Sequence, residues 1–282
     1  MWSVRAQVAT GAVVAGAGAV AMAGVLPAIH DYTYPVVWWG LLLILDAWNW
    51  RRRGQSLWRA EPRRFFAITL PVSVLFWLLF EALNLRAPQW RYRGSIEGLH
   101  RQVFFGFTSF ATVVPIVMEC WWMLGGAACV PRALEEFARR HKPRLVVTGL
   151  VLLAIPFVNS VFWFNQGMWL APALLLLPFA AVRTCPTPQP FAAGWVAGSI
   201  MAGLLWEAIN FPAKTGWEYL VLPQAPHLFE MPLPGYAGFI PFGLSVLAVW
   251  EWQRRLPARP PIAVLLYAAA LAALYALAPR LL

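Results

Sequence analysis

Two short stretches set a carboxylate and an amide one helical turn apart inside apolar sequence. They are LLFEALN at 78–84, with Glu81 and Asn84, and LLWEAIN at 204–210, with Glu207 and Asn210. An ionised carboxylate in hydrocarbon costs several kcal/mol, so such a group must face a protein interior, be paired, or hold a proton. A protonated Glu in an apolar pocket is a usable general acid.

The company these residues keep is duplicated. Trp90, Tyr92 and His100 follow the first stretch, and Trp217, Tyr219 and His227 follow the second, with Trp to Tyr two residues and Tyr to His eight residues in both. GFTSF at 106–110 then answers GYAGF at 235–239, and Trp121 and Trp250 each lie fifteen residues beyond the first Gly of those segments. Five kinds of residue in one order at nearly fixed spacing point to an internal repeat. The expected site is a symmetric polar chamber near the outer leaflet. Its walls are Glu81, Asn84, Trp90, Tyr92 and His100 from one half and Glu207, Asn210, Trp217, Tyr219 and His227 from the other. The competing reading is structural: Glu and Asn capping loops, Trp and Tyr in an interfacial aromatic belt, and ordinary loop histidines.

Other acids are less symmetric. Glu119, in PIVMECWW, is deep and has no acidic counterpart at the matching position Ala248, which makes it a candidate catalytic or relay acid. Asp46 and Glu251 each precede arginines at a helix end and read as snorkelling ion pairs. Glu230 precedes Pro232, Pro234 and Pro241 in HLFEMPLPGYAGFIPFG, a stiff apolar segment that is either a wall or lid of the chamber or a rigid connector.

Composition names the solvent in which these residues work. With 60% hydrophobic and 12% charged residues, this chain cannot cover a water-exposed surface with polar groups, so it reads as an all-α polytopic membrane protein. Apolar runs long enough for a roughly 30 Å core recur at about 7–29, 33–50, 65–85, 103–126, 145–164, 169–183, 191–211, 235–252 and 260–278. The sixth is short and carries Pro172 and Pro178. Nine helices divide into a first repeat over 1–130, a basic linker over 131–144, a second repeat over 145–255 and a peripheral helix over 256–282. The repeats run parallel about an axis along the membrane normal. The first helix, rich in Gly and Ala, suits close packing. No cleavable signal is evident in it.

Alternating nine spans with the amino terminus inside puts 16 of the 22 Lys and Arg residues on the cytoplasmic face and 6 outside. The net charge of +10 is then a topology signal in an inner (plasma) membrane and not a nucleic-acid footprint. The basic face also suits anionic lipid. Cys120, Cys129 and Cys185 fall on or near that face without metal or redox spacing and read as reduced structural thiols.

The series Glu207, Trp217, Tyr219, Pro232 and Leu233 resembles integral membrane carotenoid-modifying enzymes of the lycopene cyclase and bacterioruberin-type hydratase kind. The double Glu after a proline that marks the cyclase domains is missing here. The resemblance implies acid-initiated chemistry on a polyene, a cyclase, isomerase or hydratase reaction belonging to carotenoid biosynthesis. The residues allow such chemistry independently, since 17 Trp offer ring faces to carbocation character. No phosphate-cradling loop, paired aspartates, His-rich box or serine elbow calls for a cofactor, and no short His spacing fixes a metal on Glu81, His100, Glu207 and His227. Other readings are a proton- or cation-coupled transporter, and a noncatalytic subunit holding pigment, lipid, a membrane-protein partner or a second copy.

Overall fold

A computed structural model describes residues 3–94, 96–180, 183–185 and 187–281. The chain is mostly helical. Six described helices are long and apolar enough to cross a membrane: α1 (Val4–Met22), α3 (Pro62–Asn84), α4 (Leu99–Met123), α7 (Gln189–Asn210), α8 (Leu233–Gln253) and α9 (Pro260–Leu281). A seventh span follows if α5 (Arg132–Arg140) and α6 (Lys142–Val158), bent by 84° at His141, count as one. The two remaining expected spans fall short. α2 (Thr33–Arg53) is a full helix, but Asp46, Asn49 and its terminal arginines dilute its hydropathy. The stretch 169–183, whose residues 181 and 182 lie outside the described residues, breaks into short helices at Ala171–Leu176 and Leu177–Phe179, with Pro172 and Pro178 at their first turns.

Small residues let α1 and α2 pack backbone to backbone. A methyl group on Gly40 would sit 2.4 Å from the Ala15 amide nitrogen, so only hydrogen fits there. α9 is the least buried of the six, resting on α3 and α4. The core between α3, α4, α7 and α8 is aromatic: Trp77, Phe80, Trp206 and Phe242 pack with ring centroids 5.1–6.1 Å apart.

Both helices that carry the Glu–Asn pairs are entered through a π-helical turn, Phe65–Thr69 in α3 and Ala193–Gly198 in α7. Both end in a short strand, β1 (Trp90–Arg93) and β4 (Gly216–Tyr219). These pair antiparallel in the register Trp90 with Tyr219 and Tyr92 with Trp217, so exchanging the strands maps each Trp–Tyr pair onto the other. The ribbon ties the two helix ends together beside the core.

At the opposite end, β2 (Cys129–Val130) pairs parallel with β3 (Arg183–Thr184) and brings Cys129 and Cys185 into a disulfide. The expectation of three reduced thiols is therefore corrected: only Cys120 is free among the described residues. The pairing joins residues 56 apart in sequence, which no local spacing announces. Asp46 is also corrected. It does not snorkel to an arginine at the boundary; it is fully buried, accepting from Gln7 Nε2 at 2.8 Å and from the Trp58 amide at 2.8 Å. Glu251 does approach Arg254, at 3.4 Å.

Candidate functional site

The two Glu–Asn stretches are built alike. Asn84 donates from Nδ2 to the Trp90 carbonyl at 2.9 Å, and its Oδ1 accepts from the Gln89 and Trp90 amides at 2.8 and 3.2 Å. Asn210 donates to the Trp217 carbonyl and accepts from the Trp217 amide, both at 2.8 Å. The asparagines thus clamp the starts of β1 and β4, which meets the polar needs of a buried strand end. Their side chains are spent on that task and do not line a cavity.

Each glutamate, one turn earlier, is held by the tyrosine of its own strand. Tyr92 donates to Glu81 Oε1, and Tyr219 donates to Glu207 Oε1 at 2.7 Å. Burial, and the carboxyl groups they touch, push both tyrosine hydroxyls well above the ordinary range, so both remain donors. Oε2 of each glutamate is buried with no hydrogen-bond partner among the described residues. A carboxyl oxygen in that state is available to a ligand.

One residue makes the pair unequal. Four positions before Glu81 stands Trp77, whose indole Nε1 donates to Glu81 Oε1 at 2.6 Å. Four positions before Glu207 stands Gly203, with no side chain to do the same. A Cβ at Gly203 would lie 2.3 Å from the Phe239 ring, so the glycine also lets α8 close up. Glu207 consequently lines a cavity of about 70 Å³, while Glu81 does not. That volume is several times the roughly 10–15 Å³ that one water needs on the same measure.

Half of the residues that line the cavity are aromatic, among them Trp77, Trp90, Trp169, Trp206, Trp217 and Phe242, with Tyr219 beside Glu207. Trp90 Nε1 is buried without a hydrogen-bond partner among the described residues. Gln89 and Gln166, linked at 3.2 Å, are its other polar members. Met231, Pro232, Gly235 and Gly238 also line it, so the proline-rich segment is a wall of the cavity as well as a connector.

Several expected members lie elsewhere. His100 is exposed at the start of α4, its Nδ1 2.7 Å from the Tyr275 hydroxyl, and His227 is exposed on a two-residue strand, His227–Leu228. Neither reaches the cavity, because the chain leaves the ribbon before it arrives at them. Glu230 forms an ion pair with Arg93, whose guanidinium also donates to the Asn210 and Phe211 carbonyls at 2.7 Å and so closes the end of α7. Glu119 is buried near the other end of the bundle, accepting from Asn49 Nδ2 at 2.6 Å and from the Leu57 amide at 3.1 Å. It and Asp46 serve successive amides of one turn, which accounts for two buried acids without a substrate. Among the described residues no cluster of three or more His, Cys, Asp or Glu could hold a metal.

Sequence reasoning missed Trp77, Trp169, Trp206, Phe242, Gln89 and Gln166. The signal for Trp77 was present, a Trp one turn before a buried Glu. Trp169 and Phe242 reach the site from distant segments and gave none. No family model matches the chain, and comparison with curated proteins and with solved structures returned no significant match.

Proposed function

We propose that the protein is an integral membrane enzyme that acts on a long apolar isoprenoid or lipid of the carotenoid type, with Glu207 as its general acid. The observation that carries this reading is Glu207: a buried carboxyl with a free oxygen in a cavity that is otherwise nearly all aromatic and apolar. A protonated Glu207 would give its proton to a double bond of the substrate, leaving a carboxylate on the enzyme and a cation on the substrate. The faces of Trp77, Trp169, Trp206 and Trp217 suit that cation. Loss of a proton from the cation, or addition of water to it, would return the proton to Glu207. The cavity admits a segment of a long chain, which favours entry sideways from the lipid. In this reading Glu81, hydrogen-bonded to Trp77, holds the ribbon and is not the proton donor.

The same reading includes a duplicated architecture with nine crossings, supported by the self-mapping register of β1 and β4 and by the paired Glu–Asn clamps. It places the amino terminus in the cytoplasm of a cell with this plasma membrane, on the 16 to 6 distribution of basic residues. The Cys129–Cys185 disulfide lies on that same basic face and pulls the other way, since disulfides persist in oxidising compartments.

Mass spectrometry of apolar molecules co-purifying with the intact protein tests the binding half of the proposal. An isoprenoid retained by the wild type and lost on filling the cavity with Gly235→Leu supports it. Ordinary phospholipid alone, together with proton-driven flux in sealed vesicles, would replace it with a transporter.

A further inference from the structure

A second, smaller cavity lies against the other edge of the β1–β4 ribbon, lined by Tyr34, Trp77, Tyr92, Ser109, Thr215 and Trp217 among others. Its volume is about 20 Å³. That is room for one water, at most two, on a measure where each takes roughly 10–15 Å³. It is not apolar. Ser109 is 4% exposed and Thr215 is 1% exposed, and neither hydroxyl has a hydrogen-bond partner among the described residues. A third polar group, the Tyr92 hydroxyl, donates to Glu81, and a hydroxyl oxygen with two lone pairs can also accept. Leaving two hydroxyls unbonded in the interior costs about 1–3 kcal/mol each. A small cavity with two or more polar partners is the condition under which buried water is retained.

We propose that this cavity is a water site, holding one or two ordered waters between Ser109, Thr215 and Tyr92. The site stands apart from the acid-catalysis reading, in which Glu81 is not the proton donor. Water there places a proton carrier one hydrogen bond from Tyr92 and two from Glu81.

The experiment is a structure of the full chain in lipid nanodiscs at a resolution that shows ordered water, paired with radiolytic hydroxyl labelling, which marks side chains beside bound water. Density within hydrogen-bond reach of the Ser109 and Thr215 hydroxyls, with labelling of Tyr92 and Phe110, supports the site. In the double variant Ser109→Ala, Thr215→Val the labelling should fall to that of a dry interior ring such as Phe80. A dry cavity with the Ser109 hydroxyl turned back onto a backbone carbonyl, or labelling unchanged in the double variant, overturns it. Neither readout uses activity. Water present in a protein whose glutamate variants keep full activity sinks only the catalytic reading, and a dry cavity in a protein that needs Glu207 sinks only the water site.

Discussion

Removing one phenolic oxygen from each strand tests the inequality between the two glutamates. Tyr219→Phe takes the 2.7 Å donor from Glu207 and the 3.1 Å acceptor from the Trp217 indole, in a site where Glu207 Oε2 has no partner. Two buried polar groups are then left short, and the expected cost is about 1–3 kcal/mol. Tyr92→Phe takes a donor from Glu81, but Trp77 Nε1 still donates to the same oxygen at 2.6 Å. Only a net hydrogen bond is lost there, about 0.5–1.5 kcal/mol. Pairs inside membrane proteins couple by about 0.6 kcal/mol on average and up to about 1.7. The Tyr219–Glu207 coupling, from a cycle with Glu207→Gln, should fall at the upper end of that range and the Tyr92–Glu81 coupling nearer its middle. The assay is equilibrium unfolding in mixed micelles of mild detergent and dodecyl sulfate, followed by tryptophan emission. A Tyr92→Phe variant as unstable as Tyr219→Phe, or a larger coupling at Glu81, would show that Trp77 does not secure Glu81 and that the two sites are equivalent.

Gly203→Ala should destabilise the protein by about 1–3 kcal/mol through overpacking against Phe239 and displace any ligand held in the larger cavity, as read by the same unfolding assay and by ligand retention. Asp31 sits between Lys214, at 2.7 Å, and Arg101, at 3.1 Å, and the Lys214 hydrogen bond holds its carboxyl below the usual carboxylate range. A lowered folded-state value means that its stabilisation is present above the ordinary Asp range near 3.8 and is lost as pH falls below it. Wild type should therefore be more stable than Asp31→Asn at neutral pH in the same unfolding assay, by no more than the ~1 kcal/mol of an exposed pair, and the two should converge in acid. Thiol labelling of Glu97→Cys and Arg139→Cys, both exposed, should find the first outside and the second inside; reversed labelling, with Cys129 and Cys185 bonded in the purified protein, would place the amino terminus outside.

The parts of the site that were legible in the sequence are those fixed by helical or strand spacing. Glu81 with Asn84, and Glu207 with Asn210, share helix faces because three residues make nearly a turn, and Trp90–Tyr92 and Trp217–Tyr219 alternate as strands do. The histidines followed the same counting and were misplaced, because eight residues beyond a strand of four the chain has turned away and spacing no longer fixes position. The difference between Trp77 and Gly203 was written one turn upstream, yet its meaning depends on which residue donates to a carboxyl, a matter of packing. The Cys129–Cys185 bond, and the burial of Asp46 against Gln7 and Trp58, join segments distant in the chain, so composition and local pattern carry no trace of them. Helix existence followed from apolar length, while the count of crossings was blurred where polar residues entered α2 and prolines broke 169–183.

Glu207→Gln compared with Glu81→Gln, in a host whose apolar isoprenoids and lipids are profiled against the wild type, tests the central claim most directly. Each substitution keeps the shape and removes the acid. Glu207→Gln should cut product formation by at least ~100-fold, the lower bound for general acid catalysis, with the protein still folded, and Glu81→Gln should retain most of it. Full activity in Glu207→Gln, or a loss confined to Glu81→Gln, would contradict that claim.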